Sequence, residues 1–298
     1  MMEDVKAVSV RTPLEARWKG RRRGLRIRTI LLHAILVFFM LVIILPLVWV
    51  LLLSIRSRPD AYQPYLLPHE FDFSHYSYVL TNIPTLPQNM LNSIVVTFAT
   101  VITTTFCAVL GGYALVHLDT PGRALVIGLL TATLFFPIRV VSLVAIFEIQ
   151  RKLGLINNTL GLILPYTTLN LALSVLIMRG IFEQISSELV DAAKIDGCGA
   201  WGTLLKVLLP LVVNGIVVVL IVNFVTIWGE YLLAATLTTD QEVRTMPVVL
   251  ASAAGGMGQW AWPRIAAVYV MVVTPGILTF AFAQRWYIRG LQEGALKF

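Results

Sequence analysis

Charge is scarce in this 298-residue chain. Asp, Glu, Lys and Arg together make up 13% of it, where soluble domains carry about 25%. With 57% hydrophobic residues and a mean hydropathy of +0.81, that shortage excludes an ordinary water-soluble domain and points to a membrane protein. Cysteine is almost absent. Cys107 lies in an apolar run and Cys198 in a polar stretch; they are expected at different depths, so no disulfide is expected, and neither has metal-site spacing. No GxxxxGK[ST] phosphate cradle occurs, so the chain does not bind ATP in that way. The four histidines, His33, His69, His75 and His117, form no H-E-x-x-H pair, since "HEFDF" at His69 lacks the second His, and no nucleophile–base set stands out. A membrane-embedded enzyme is therefore disfavoured. Internal repeats are missing too, which argues against an ion-driven secondary transporter. No cofactor is expected. Nothing outside the apolar runs exceeds about 35 residues, so there is no room for a sizeable soluble domain.

What is present is greasy and periodic. A helix needs roughly 20 apolar residues to cross a bilayer, and six runs qualify: 29–54, 90–118, 124–147, 160–182, 208–237 and 263–288. The first is longer than a signal-peptide core and has no small-residue cleavage site after it, so it is expected to be retained. Nine of the 23 Lys and Arg precede Thr29. This basic tail next to a span is a topology signal and an anionic-lipid contact rather than a nucleic-acid site. With the N-terminus inside, 16 basic residues fall in inner segments and six in outer ones, so both termini are expected in the cytoplasm. The expected fold class is all-α: a polytopic membrane protein with a basic tail (1–28), six transmembrane helices (29–288) and a cytoplasmic C-terminal tail (289–298). Pro46, Pro137, Pro165 and Pro275 interrupt spans and are expected to kink them.

Two charges lie inside spans, Arg139 in the third and Glu230 in the fifth. Each would cost roughly 2.5–3.5 kcal/mol at mid-bilayer. Their similar expected depth suggests that they pair, or that they line one water-filled cavity and touch a solute. Asn223, Trp228 and Tyr231 are further candidates for a solute path, because sugars favour aromatic faces with hydrogen-bonding groups; the alternative is plain interhelical packing.

The most informative stretch is polar: a cytoplasmic insert at 183–208 containing "SSELVDAAKIDGCGAWGTLLKVLLPL". Ser186 or Ser187 can cap a helix whose first turn carries Glu188 and Asp191. Ile185, Leu189, Ala192 and Ala193 fall on one face. Gly197 can take a left-handed backbone and end the helix. A second helix follows, with Trp201, Leu204, Leu205 and Leu208 at i, i+3, i+4, i+7. The exposed face mixes both charges, unlike a lipid-surface helix. It is either a solvated loop or a protein-docking knob.

The order "ELVDAAKIDGCGAWGTLLKVLLPL" resembles the EAA motif of permease subunits of bacterial ATP-binding-cassette importers. Asp191, Ala192 and Ala193 stand for the first triplet, and Asp196-Gly197 matches the common Asp-Gly pair. "NSIVVT" at Asn92, "GYAL" at Gly112, "LGLINNTLGLILPY", "WGEYLLA" at Trp228 and "QRWYIRGLQEGALK" extend the likeness over nearly all of the chain beyond its tail. They look like the sugar-importer branch, close to the second permease subunit of maltose systems. Asp191 replaces the usual Glu, Cys198 a usual Ala, and Gly229 stands where Asn is frequent; Asn214 stands where Pro often follows the motif. The resemblance implies a type I importer permease. Its insert (Glu188, Asp191, Ala192, Ala193, Asp196, Gly197, Trp201, Leu204, Leu205) would dock on one of two ATP-hydrolysing subunits. A second permease would share the path, and an extracytoplasmic solute-binding protein would meet the tip at Gly255, Gly256, Met257 and Gly258. The C-terminal "GLQEGALKF" would lie against the ATPases, unless it simply frays.

Overall fold

In a computed structural model, the backbone is described for residues 13–64, 67–255 and 261–295. The described residues are helical almost throughout, and one antiparallel bridge joins Arg56 to Phe71. Helix α1 (Pro13–Ser54) runs from the basic segment through the first apolar run without a break. A 3₁₀ turn (Asp60–Tyr62) and α2 (Ser74–Asn82) build the next connector. Then come α3 (Leu86–His117), α4 (Arg123–Phe135), α5 (Ile138–Val141), α6 (Leu143–Lys152) and α7 (Thr159–Phe182). The polar insert holds α8 (Ser187–Ile195) and α9 (Ala200–Gly202), which passes through a π-helical stretch (Thr203–Leu208) into α10 (Leu209–Leu211). Helices α11 (Val213–Trp228), α12 (Leu232–Leu237), α13 (Met246–Gly255) and α14 (Trp262–Ala295) complete the chain.

Among the described residues, four helices are long and apolar enough to cross a bilayer: Thr29–Ser54, Leu86–His117, Thr159–Phe182 and Trp262–Phe282. A fifth appears if Ala200–Leu211 and Val213–Trp228, bent by 78° at their junction, count as one span. The run at 124–147, expected as one span, is divided. Proline cannot donate a backbone bond, and its ring pushes the preceding residue out of the helical region. Phe136 is accordingly extended (φ −98, ψ 143) and α4 stops before Pro137. The run at 208–237 is likewise interrupted at Gly229–Tyr231, between α11 and α12. Pro46, Pro165 and Pro275 all stay inside continuous helices.

The densest packing is between α3 and α7. Gly112 permits it: a Cβ there would stand 2.8 Å from Met178 Cβ and 2.9 Å from the Arg179 amide nitrogen. Around this contact Ala108, Tyr113, Met178, Phe182, Leu204 and Leu208 form one buried cluster that ties the insert to the bundle. A second cluster joins Leu162 and Tyr166 of α7 to Phe224 and Ile227 of α11 and to Leu233 of α12. Helix α1 is different. Its apolar residues from Ile30 to Leu45 are 43–67% exposed, as expected where a bilayer rather than protein covers the side chains.

Candidate functional site

The insert is built from local rules. The Ser186 side chain accepts from the Glu188 amide at 3.2 Å, so Ser186 rather than Ser187 caps α8 and satisfies one of its orphan donors. At the other end Gly197 adopts φ +79. The Gly197 amide donates to Lys194 O at 3.0 Å and the Cys198 amide to Ala193 O at 2.9 Å, the paired bonds of a left-handed glycine stop. Val190 and Ala193 face the core, whereas Ala192 and Leu189 point outward. The face expected from Ile185, Leu189, Ala192 and Ala193 is thus rotated, because Val190 fills the inner position. The second apolar stripe is split. Leu204 (2%) and Leu208 are buried, while Trp201 (61%) and Leu205 (56%) are exposed. Glu188, Asp191 and Asp196 are exposed too, Asp191 sharing an ion pair of 3.1 Å with Lys194. Together with Ile195, which is 87% exposed, they make an apolar surface edged by carboxylates. The Tyr113 hydroxyl donates to Ala200 O at 2.9 Å and links this surface to α3.

Arg139 and Glu230 do not form the direct pair that is one sequence expectation. Arg139 Nη2 donates to Asn170 Oδ1 at 2.7 Å. Glu230 accepts from the Tyr166 hydroxyl at 2.5 Å and from the amides of Leu233 (3.0 Å) and Ala234 (3.2 Å). The two charges are therefore joined through α7, where Asn170 Nδ2 also donates to Tyr166 O at 2.7 Å. The reason is positional. Arg139 follows the Pro137 break, and Glu230 sits just before α12, whose free amides draw the carboxylate. One turn further along α7, Ser174 donates to Asn170 O and accepts from Asn223 Nδ2 at 2.9 Å. Asn223 is 2% exposed and its amide is held between helices.

Trp228 and Tyr231 line a cleft of about 610 Å³ with Phe224, Val272, Gly276 and Phe280. Asn223, Arg139 and Glu230 do not reach it. The Trp228 indole donates to Val272 O at 3.1 Å and stacks on Phe224, so this cleft offers mostly apolar contact. Gly255 ends α13; Gly256, Met257 and Gly258 lie outside the described residues, as do residues 1–12 and 296–298. Helix α14 continues through 289 to Ala295.

Sequence reasoning missed how the connector between α12 and α13 is fastened. Asn89 Nδ2 donates to Gln241 O (2.6 Å) and Arg244 O (3.0 Å), and Asn92 Nδ2 to Glu242 O (2.7 Å). Ser93 accepts from the Met246 amide at 2.8 Å. From the other side Asn157, held at φ +55, accepts from the amides of Thr239 (2.7 Å) and Asp240 (3.1 Å). Gln88, Asn92, Asn157, Asn158 and Glu242 also line a polar cleft of about 560 Å³ there. The signal available was amide side chains at helix ends within "NSIVVT" and "LGLINNTLGLILPY", but it gives no partner.

Residues 20–293 match the family model described as "Binding-protein-dependent transport system inner membrane component". The chain is 35% identical over 254 residues to the sulfoquinovosyl glycerol transport system permease protein of Agrobacterium fabrum, covering 85% of this chain and 88% of that protein. It is 32% identical over 257 residues to the trehalose transport system permease protein of Mycobacterium tuberculosis, covering 85% and 92%. Its fold superposes with a TM-score of 0.76, at 26% identity, on a chain of a bacterial ABC transporter involved in the import of the acidic polysaccharide alginate, covering 89% of this chain and 98% of that one.

Proposed function

The chain belongs to the family of inner-membrane components of binding-protein-dependent transport systems, and from that premise we propose that it imports a carbohydrate through a path shared with a second permease. It is a multi-pass inner-membrane permease subunit, not an enzyme, and it works with a solute-binding protein and ATPase subunits. The carbohydrate assignment is drawn from the named solutes of its relatives.

In the proposed arrangement there are six crossings. Helices α4–α6, broken at Pro137, supply the third, and α11 with α12 supplies the fifth. Irregular backbone is tolerated at membrane depth where it is buried or lines a cavity. Both termini and the insert at 183–208 face the cytoplasm, in keeping with the distribution of basic residues. The insert docks on an ATPase subunit through Glu188, Asp191, Ala192, Asp196, Trp201 and Leu205, with buried Ala193 and Leu204 shaping it from within and Gly197 ending its first helix. The observation that carries this reading is the insert's surface. Ile195, Trp201 and Leu205 are 87%, 61% and 56% exposed beside exposed carboxylates, on a helix pair stopped by a left-handed glycine. Large exposed apolar groups rimmed by polar ones mark interaction sites. At the opposite end, the polar cleft at Asn157 and Glu242, with the tip from Gly255 to Gly258, meets the binding protein. Arg139 and Glu230 border the path, and Trp228 and Tyr231 line a neighbouring wall.

The test is reconstitution of the chain with its companion permease, ATPases and binding protein in proteoliposomes. Carbohydrate-loaded binding protein is expected to stimulate ATP hydrolysis and uptake together. Uptake by the isolated chain without ATPases would refute the assignment.

A further inference from the structure

Arg139 has a feature that the pairing within this chain does not use up. Its Nη2 is fixed on Asn170 Oδ1 at 2.7 Å, and Asn170 is itself anchored to Tyr166 O. The guanidinium is therefore held toward α7. Arg139 is half-buried, and among the described residues its guanidinium makes this one hydrogen bond, through Nη2. Among the described residues no carboxylate lies within ion-pair distance of it. The carboxylate expected as its counter-ion, Glu230, has both oxygens occupied by Tyr166, Leu233 and Ala234. A cation at membrane depth is costly unless it faces a cavity or meets an anion. A guanidinium held by one N–H matches the planar or tetrahedral oxygens of an anion.

We propose that Arg139, positioned by Asn170, binds an anionic oxygen group (carboxylate, sulfonate or phosphate) on the transported carbohydrate. The proposal rests on the carbohydrate-importer reading and narrows its substrate to acidic saccharides. Neutral sugars gain less from an unpaired charge, because they would leave its cost at membrane depth unmet.

Two experiments test it. In the first, the cognate binding protein is screened by thermal shift against hexuronate, sulfonated and phosphorylated saccharides and their neutral counterparts. Stabilisation by an acidic saccharide over its neutral counterpart is expected. Stabilisation by neutral sugars alone overturns the proposal and leaves the importer reading intact; stabilisation by no saccharide removes the reading beneath it. The second uses the whole reconstituted complex and whichever saccharide the screen identifies. Asn170→Asp gives Arg139 a competing carboxylate inside the chain, and Arg139→Gln removes the charge. Each is expected to lower uptake at least about tenfold, as loss of a charged recognition contact does, while loaded binding protein still stimulates ATP hydrolysis. Arg139→Lys is expected to retain intermediate uptake. Unchanged uptake in Asn170→Asp overturns the proposal. So does a loss in Arg139→Gln matched by lost complex assembly while Asn170→Asp transports normally, since the arginine would then be structural.

Discussion

The connectors at the two ends of α11 are built in opposite ways. Residues 186–212, before it, are shaped by local bonds: a serine cap, a left-handed glycine and a π-helical stretch. Among the described residues, their side-chain hydrogen bond to a distant helix is Tyr113 to Ala200, beside the buried anchors Val190, Leu204 and Leu208. Residues 238–245, beyond α12, are shaped from outside. Asn89 and Asn92 of α3 and Asn157 of the α6–α7 turn reach in across 82 to 155 positions of sequence. The first connector leaves apolar and acidic side chains uncovered. The second spends its backbone carbonyls and amides on partners within the same chain. If the insert receives another protein, as proposed, it can be specified locally, because that protein would complete its outer surface. A segment held in register with two other helices needs long-range bonds.

The largest expected effect lies in the second connector. Replacing Asn89, which is fully buried, with Leu removes the side-chain donor to Gln241 O, while Arg244 O keeps a longer bond of 3.3 Å from Asn92 Nδ2. An unsatisfied buried group costs about 1–3 kcal/mol, so Asn89→Leu is expected to destabilise the protein by about 1–3 kcal/mol, more still with Asn92→Leu, which also frees Arg244 O and Glu242 O. The midpoint of thermal unfolding in detergent reads this out. A change no larger than that of an exposed-site control would break the comparison, since the connector would then hold itself.

The first connector is expected to respond differently. At Gly197 nothing stands within 4 Å of an added Cβ, so the obstacle is the backbone alone. A side chain at φ +79 costs of order 1–2 kcal/mol. Gly197→Leu is therefore expected to insert normally and melt close to wild type, while ATP-driven uptake falls by tenfold or more. Normal uptake in that variant would remove the insert from the coupling path.

These two regions also differ in how far the amino-acid order reveals them. The insert was legible down to a pair of candidate capping serines and its stop glycine, because caps and stops depend on neighbours a few positions away. The rotation of α8, which buries Val190 instead of Leu189, was not, because a helix has several near-equivalent faces and tertiary packing selects one. The apolar runs were visible, but hydropathy does not register the backbone break that Pro137 imposes, nor the interruption at Gly229. Arg139 and Glu230 were recognised as buried charges needing partners. Their actual partners, Asn170 and Tyr166, lie on α7, and spacing along the chain does not encode contacts between helices. The clasp by Asn89, Asn92 and Asn157 was invisible for the same reason.

A smaller effect sharpens the local side of the comparison. Ser186→Ala removes the cap of α8, an expected loss of about 1 kcal/mol felt mainly as faster hydrogen exchange at Glu188 and Leu189. Exchange that spreads equally to the 238–245 connector would mean that the two regions are not independent.

The smallest effect concerns a third connector, the turn after α1, and depends on pH. The Asp60 carboxylate accepts from the His69 amide at 3.0 Å and contacts His69 Nδ1 at 3.1 Å. The amide bond above all holds its pKa below the ordinary aspartate value; burial opposes the shift, and the His69 side chain and Arg56 add to it. A lowered folded-state pKa gives stability that is complete above the unfolded value of about 3.9 and is lost as pH falls through the folded one. Protection of the His69 amide, corrected for intrinsic exchange, is thus expected to stay level from neutral pH down to about 4 and to decline below that. Asp60→Asn keeps an acceptor but no charge, so its protection is expected to be lower and flat across the same range. A decline that persists in Asp60→Asn would place the titrating group elsewhere. This turn would then be set by its backbone geometry rather than by a reach across nine residues to a charged acceptor.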